Sequence, residues 1–158
     1  MTQLLNSPLE VGVRVVAMLT ALYPRQADLA RIVLLDHVAL HSEDFAGADS
    51  LHPAIPVRVG ELGMKRELAR KGVALMGARG LIIRHLNISG IYYSASDDAR
   101  PFLEAVDSPY LVQLRGRCAW AASEFGALDD DTIRRRLGAV FGSWAEEFDQ
   151  VRRNEQND

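Results

Sequence analysis

Gly80-Leu81-Ile82-Ile83-Arg84-His85-Leu86, then Asn87-Ile88-Ser89-Gly90, then Ile91-Tyr92-Tyr93-Ser94-Ala95 is the stretch on which the fold turns. Two runs rich in β-branched and aromatic residues flank an Asn/Ser/Gly cluster, which reads as a β-hairpin at about 81–86 and 91–95. Everything else with a regular period reads as helix. Three helices therefore precede one small hairpin.

Working back toward the N-terminus, Ser7-Pro8-Leu9-Glu10 places a capping serine, a proline at the first helical position and a glutamate three after the cap. The first helix runs from there to about Tyr23, where Pro24 stops it. It is apolar on nearly all sides, which suggests a central position. A second helix spans about Ala27 to Ser42, with Leu29, Ile32, Val33, Leu35 and Val38 on a wide apolar face. Residues 43–56 show no helical or strand period, and Gly47, Ser50, Pro53 and Pro56 mark a loop long enough to serve as an interaction element. The third helix covers about Val57 to Ala78. On a helical wheel Val57, Met64, Leu68 and Leu75 form an apolar arc, and Arg58, Lys65, Arg66 and Arg70 a separate basic one. Gly60, Gly63, Gly72 and Gly77 are costly in such a helix, at about 1 kcal/mol each relative to alanine. Either the helix breaks near Gly72 or another backbone approaches closely there.

Beyond the hairpin, a short helix is expected at Asp97–Val106. A second Ser-Pro start at Ser108-Pro109 leads a helix to about Phe125, with Gly126 as its stop. A last helix runs from Asp129 to Val151 with acids in its first turn and Ile133, Leu137, Val140, Phe141, Trp144, Phe148 and Val151 on one side. The fold class is thus mostly α with a small β-hairpin: a winged helix-turn-helix core at about 7–96 and a C-terminal helical extension at about 97–152, forming a single domain over 1–158.

Composition narrows the function. The chain has 158 residues, 48% hydrophobic and 25% charged, the balance of a soluble globular domain rather than a disordered or repetitive chain. A lone cysteine, Cys118, excludes an internal disulfide framework and a four-cysteine zinc site and fits a reducing cytosol. The N-terminus does not read as a signal peptide, and the apolar run Val11–Leu22 is short and broken by Arg14, so a cytoplasmic protein without a membrane span is expected. Net charge is −3, distributed as −3 over residues 1–50, +5 over 51–96 and −5 over 97–158. Any nucleic-acid contact belongs to the positive middle.

In a winged helix the third helix enters the DNA major groove and the wing touches backbone. Arg58, Lys65, Arg66, Arg70 and Lys71 would face DNA from the helix and Arg84 from the wing. The plainer reading is a solvated helix face over a core. His37 and His41, four apart, with Asp44 and His52 nearby, offer two histidines and a carboxylate to zinc; the plainer reading is hydrogen-bonded histidines under the 43–56 loop, and no metal is assigned. No phosphate loop, dinucleotide fingerprint or Gly-x-Ser-x-Gly elbow occurs. Cys118 shares a helical stripe with Leu111, Leu114 and Phe125 and reads as packed. No catalytic residue and no cofactor are assigned, and an enzyme is not expected. Trp120 lies off that stripe with Gln113, Gly116, Arg117 and Glu124, and together with His52 and Arg117 it is a candidate partner contact.

Several strings carry a family resemblance. They are Ser7-Pro8-Leu9-Glu10-Val11-Gly12-Val13-Arg14; Leu34-Leu35-Asp36-His37 leading to His41-Ser42-Glu43-Asp44; Ser50-Leu51-His52-Pro53 followed by Pro56-Val57-Arg58-Val59-Gly60-Glu61-Leu62; Gly90-Ile91-Tyr92-Tyr93; and Arg117-Cys118-Ala119-Trp120. In their order and spacing, over about residues 7–125, the chain resembles a middle component of the bacterial ABC-three-component defence systems, the circle that includes Lamassu. The resemblance implies a winged-helix adaptor that docks on an SMC-like ABC ATPase and couples it to an effector, often a nuclease, encoded in the same operon. It brings no catalytic residues. Double-stranded DNA is an expected partner through the complex. The acidic net charge departs from a simple DNA-binding winged helix. The alternative from another class is a winged-helix transcription regulator acting as a homodimer.

Overall fold

The computed structural model describes residues 7–52, 61–141, 153–154 and 156. Helix α1 (Pro8–Leu22) begins where the sequence signals it: the Ser7 hydroxyl accepts from the Glu10 amide at 3.2 Å and Pro8 occupies the first turn. Val15, Val16, Met18 and Leu19 are fully buried, and α1 packs against the four helices that follow it and the second strand of the hairpin. Arg14 stays inside this apolar helix because Asp36 of α2 (Leu29–Leu40) accepts two of its hydrogen bonds, at 3.0 and 3.3 Å. Helix α2 starts two residues later than the pattern suggested, because Asp28 caps it by accepting from the Arg31 amide at 2.9 Å. The loop expected from residue 43 opens instead as a 3₁₀ turn, Ser42–Phe45, closed by Ala46 in the left-handed region at φ 62°.

Helix α3 is described from Glu61 to Ala78, so the start expected at Val57 lies outside the described residues. Its buried face differs from the arc expected. Ala69, Gly72, Val73 and Met76, at 3-, 1- and 3-residue steps, are buried, Gly72 and Met76 against Gly12 of α1, whereas Leu68 and Leu75 are only half-buried. The helix is unbroken at Gly72. A Cβ there would stand 2.8 Å from the Gly12 amide nitrogen and 3.0 Å from its Cα, and a Cβ at Gly12 would stand 3.0 Å from the Gly72 carbonyl oxygen. The two glycines let α1 and α3 cross backbone to backbone.

The hairpin follows as β1 (Ile82–Asn87) and β2 (Gly90–Ala95), antiparallel, with Ile82 opposite Ala95, Arg84 opposite Tyr93 and Leu86 opposite Ile91. Asn87 and Gly90, expected in the turn, close the ladder instead, leaving a two-residue turn of Ile88 and Ser89. The Asn87 side chain accepts from the Ser89 amide at 2.8 Å, and Gly90 takes φ 134°. Ala27, between α1 and α2, exchanges two backbone hydrogen bonds with Tyr93, at 2.9 and 2.8 Å, and so adds a one-residue third rung beside β2.

Helix α4 (Ala99–Ala105) is shorter than expected, because Ser96 holds the chain in a turn: its hydroxyl donates to the Gly80 carbonyl and accepts from the Asp98 amide. Helix α5 (Pro109–Phe125) has the expected Ser108 cap, 3.3 Å from the Leu111 amide. Gly126 ends it in the right-handed region, φ −62°, rather than the left-handed one. Arg31 does the capping, donating to the carbonyls of Gly126 at 2.8 Å and Leu128 at 2.6 Å while pairing with Asp130 at 2.8 Å. That one side chain joins the end of α5 to the start of α6 (Asp130–Phe141). Trp144, Phe148 and Val151 lie outside the described residues. No helix among the described residues is long and apolar enough to cross a membrane.

Candidate partner-binding surface

The three residues singled out for partner contact come together at one corner. Trp120 is half-buried on α5, its indole edge-on to Phe125 with ring centres 5.9 Å apart. Gly47 lies directly over the indole, where a Cβ would stand 2.7 Å from Cζ2. One turn earlier on α5, Arg117 donates twice to the Asp49 carbonyl, at 3.1 and 2.8 Å. His52 shares a 2.8 Å hydrogen bond between its Nε2 and the Tyr110 hydroxyl at the start of α5. The sequence offered the 43–56 loop and the Arg117/Trp120 face as two apposed surfaces. Their described parts make a single one: α5 holds residues 47–52 down at three points.

Beneath that corner lie the histidines. His37 and His41 stack with ring centres 4.5 Å apart, and His52 meets His41 edge-on at 6.5 Å. Lys65 of α3 reaches into the cluster, its Nζ 3.4 Å from His37 Nδ1. Burial, and next the Lys65 ammonium, hold His37 well below the usual histidine range. His41 is lowered for the same two reasons, and His52 is lowered to about 4 by burial first and the Arg14 guanidinium second. The cluster is neutral at pH 7 and ties α2, α3, α5 and the loop together. Among the described residues no group of three or more His, Cys, Asp or Glu could hold a metal ion.

The expected DNA-facing set divides. Arg58 lies outside the described residues. Lys65 and Arg66 are half-buried, and Lys65 sits on the same helical stripe as Ala69, Gly72 and Met76. Arg70, Lys71 and Arg84 are exposed, with Arg70 bonded to Glu67 at 2.9 Å. The basic arc thus straddles the buried side of α3 and the solvent side. Cys118 is buried, and burial pushes its thiol far up, so it stays protonated.

Two features escaped the sequence. Arg31 serves backbone carbonyls, which no side-chain pattern announces. The other is the end of the hairpin, where Leu86, Ile88 and Ile91 are 67%, 106% and 43% exposed. The β-propensity that revealed the strands also hid how little of their outer half is covered.

In a comparison with known families, the family described as ABC-three component (ABC-3C) system Middle Component 2 matches residues 4–147. Neither the curated proteins nor the solved structures give a match.

Proposed function

Since the chain belongs to the Middle Component 2 family of ABC-three-component systems, we propose that it is a non-enzymatic adaptor that bridges an SMC-like ABC ATPase and an effector of the same operon, often a nuclease. Movement of the ATPase, driven by ATP and DNA, would pass through this subunit to restrain or release the effector, in the manner of a Lamassu-type defence complex acting in the cytoplasm. Membership over residues 4–147 carries the reading. The surface agrees with it. Buried titratable groups are held neutral or paired, and the features facing solvent include a cationic helix side and an aliphatic hairpin tip.

A winged-helix core is part of the proposal. The Ala27–Tyr93 bridge supports it by giving the hairpin a short partner between the first and second helices. The 20 positions between Leu40 and Glu61 depart from the tight turn of a DNA-reading helix-turn-helix. Within the complex, duplex DNA contact falls to Arg70 and Lys71 on the exposed side of α3.

The test is to tag the chain, co-express it with the other two components and identify what co-purifies by mass spectrometry. Recovery of an ABC ATPase with a second protein is the expected result. Recovery of the chain alone as a DNA-shifting dimer would overturn the adaptor and favour the regulator. Charge reversal at Arg70 and Lys71 is the suitable probe of DNA contact, because reversal at Lys65 would also disturb the histidine cluster.

A further inference from the structure

The hairpin has an open side. Tyr93 uses both its N–H and its C=O on Ala27, so these groups point away from β1. Directly opposite Tyr93, Arg84 therefore forms a non-hydrogen-bonded pair, and by the two-residue alternation of an antiparallel ladder the backbone groups of Ile82, Arg84 and Leu86 point outward from the sheet. Among the described residues none bonds to them. Unpaired strand edges are usually shortened, bulged or covered, because they accept a further strand. At Ile82 the end of α3 covers it, a Cβ on Gly77 standing 3.8 Å from the Ile82 carbonyl oxygen, but from Ile83 to Leu86 it is not bulged and no described residue covers it, and beside it stand Leu86, Ile91 and, at the turn, the fully exposed Ile88.

Charge says what fits there. From Leu68 to Ser96 the chain has no carboxylate, and it carries Arg70, Lys71, Arg79 and Arg84. All four side chains are exposed. A DNA-contacting wing presents cations to phosphate. This tip presents three aliphatic side chains, and Arg84 is the sole cation of the hairpin. Pairing with a second copy of β1 about Arg84 would set two guanidiniums opposite each other, which opposes self-association.

We propose that the β1 edge is the docking strand of this subunit: an extended, acidic and apolar segment of another component of its system adds beside Ile83–Leu86 as a further strand, its apolar residues covering Leu86, Ile88 and Ile91. This rests on the adaptor reading. Main-chain bonds along the edge supply affinity, and the aliphatic tip with Arg84 and Arg79 selects for alternating apolar and acidic side chains.

Residue-resolved amide hydrogen exchange on the full chain, alone and in the complex with the other two components, tests it. Expected is slowing by about tenfold or more at Arg84 and Leu86, with Ile83 and His85, already bonded to β2, as internal controls. Arg84→Pro removes an outward N–H that β2 does not use and is expected to weaken the complex by about tenfold or more. Leu86→Glu with Ile88→Glu does the same by repulsion, without touching the backbone, and circular dichroism confirms that each variant is folded. Failure of any complex to form removes the adaptor reading and this inference with it. A complex in which Arg84 and Leu86 exchange as in the free chain overturns the inference alone. Equal slowing of these amides by a short DNA duplex without protein also overturns it, assigning the hairpin to nucleic acid.

Discussion

The corner at residues 47–52 and the outer half of the hairpin are both surface features, and they are built in opposite ways. In the corner the three residues singled out for partner contact are already engaged: Arg117 on the Asp49 carbonyl, Trp120 under Gly47, His52 on Tyr110. On the hairpin, Leu86, Ile88 and Ile91 touch solvent and one backbone edge bonds to nothing among the described residues. A surface whose groups are mutually satisfied contributes stability. A surface that leaves aliphatic side chains and backbone groups open contributes little to the fold and is available for binding. Mutation should therefore separate the two: corner changes lower stability, hairpin-tip changes lower complex formation.

The largest effect tests what both regions hang from. Asp36→Ala removes the carboxylate that accepts two hydrogen bonds from the buried Arg14 guanidinium and should cost about 3 kcal/mol in urea unfolding. Next is Gly72→Ala. In an ordinary helix this substitution gains about 1 kcal/mol. Here the new Cβ would meet Gly12 backbone at 2.8 Å, so a net loss of about 2 kcal/mol is expected. Equal or greater stability would mean that α1 and α3 do not cross at those glycines. In the corner, Trp120→Ala should cost about 2 kcal/mol, less than a fully buried aromatic, since the indole is half-covered.

Acid should also act on the corner. His37, His41 and His52 bind protons more weakly folded than unfolded, with His52 near 4 against an ordinary 6.5. The unfolded chain therefore takes up more protons in that window. The stabilisation is complete above pH 6.5 and is lost as pH falls toward 4. Tm measured from pH 7.5 to 4 should drop across that range, with the drop reduced in His52→Gln. The smallest effect belongs to the hairpin: Ile88→Ser should leave stability within about 0.5 kcal/mol of the parent by urea unfolding. A loss comparable to that of Trp120→Ala would erase the contrast between the two regions.

Local signals in the sequence were reliable where the structure uses local bonds. Ser7-Pro8 and Ser108-Pro109 start α1 and α5 because each serine caps its own first turn, and the hairpin lies within one residue of its expected ends. Misplaced features depend on distant partners. The buried face of α3 was assigned to Leu68 and Leu75 because they dominate a hydropathy wheel, whereas Ala69 and Gly72 are buried for being small, and what makes small size useful is Gly12, sixty positions away. Lys65 was placed on a solvent face because its partner, His37, lies on another helix. Trp120 was seen to stand off the α5 stripe, but that Gly47 would cover it depends on a turn, Ser42–Phe45, too short to show a period. The family resemblance, carried by strings scattered over most of the chain, agrees with the match over residues 4–147.

The account's central claim is that this subunit couples an ATPase to an effector. The direct measurement is effector activity in a reconstituted mixture of the ATPase, the effector, ATP and DNA, with and without this chain. The account predicts ATP-dependent activation, or release from inhibition, only when the chain is present, and its loss with Leu86→Glu/Ile88→Glu. Effector activity that is the same whether or not the chain is added would contradict it.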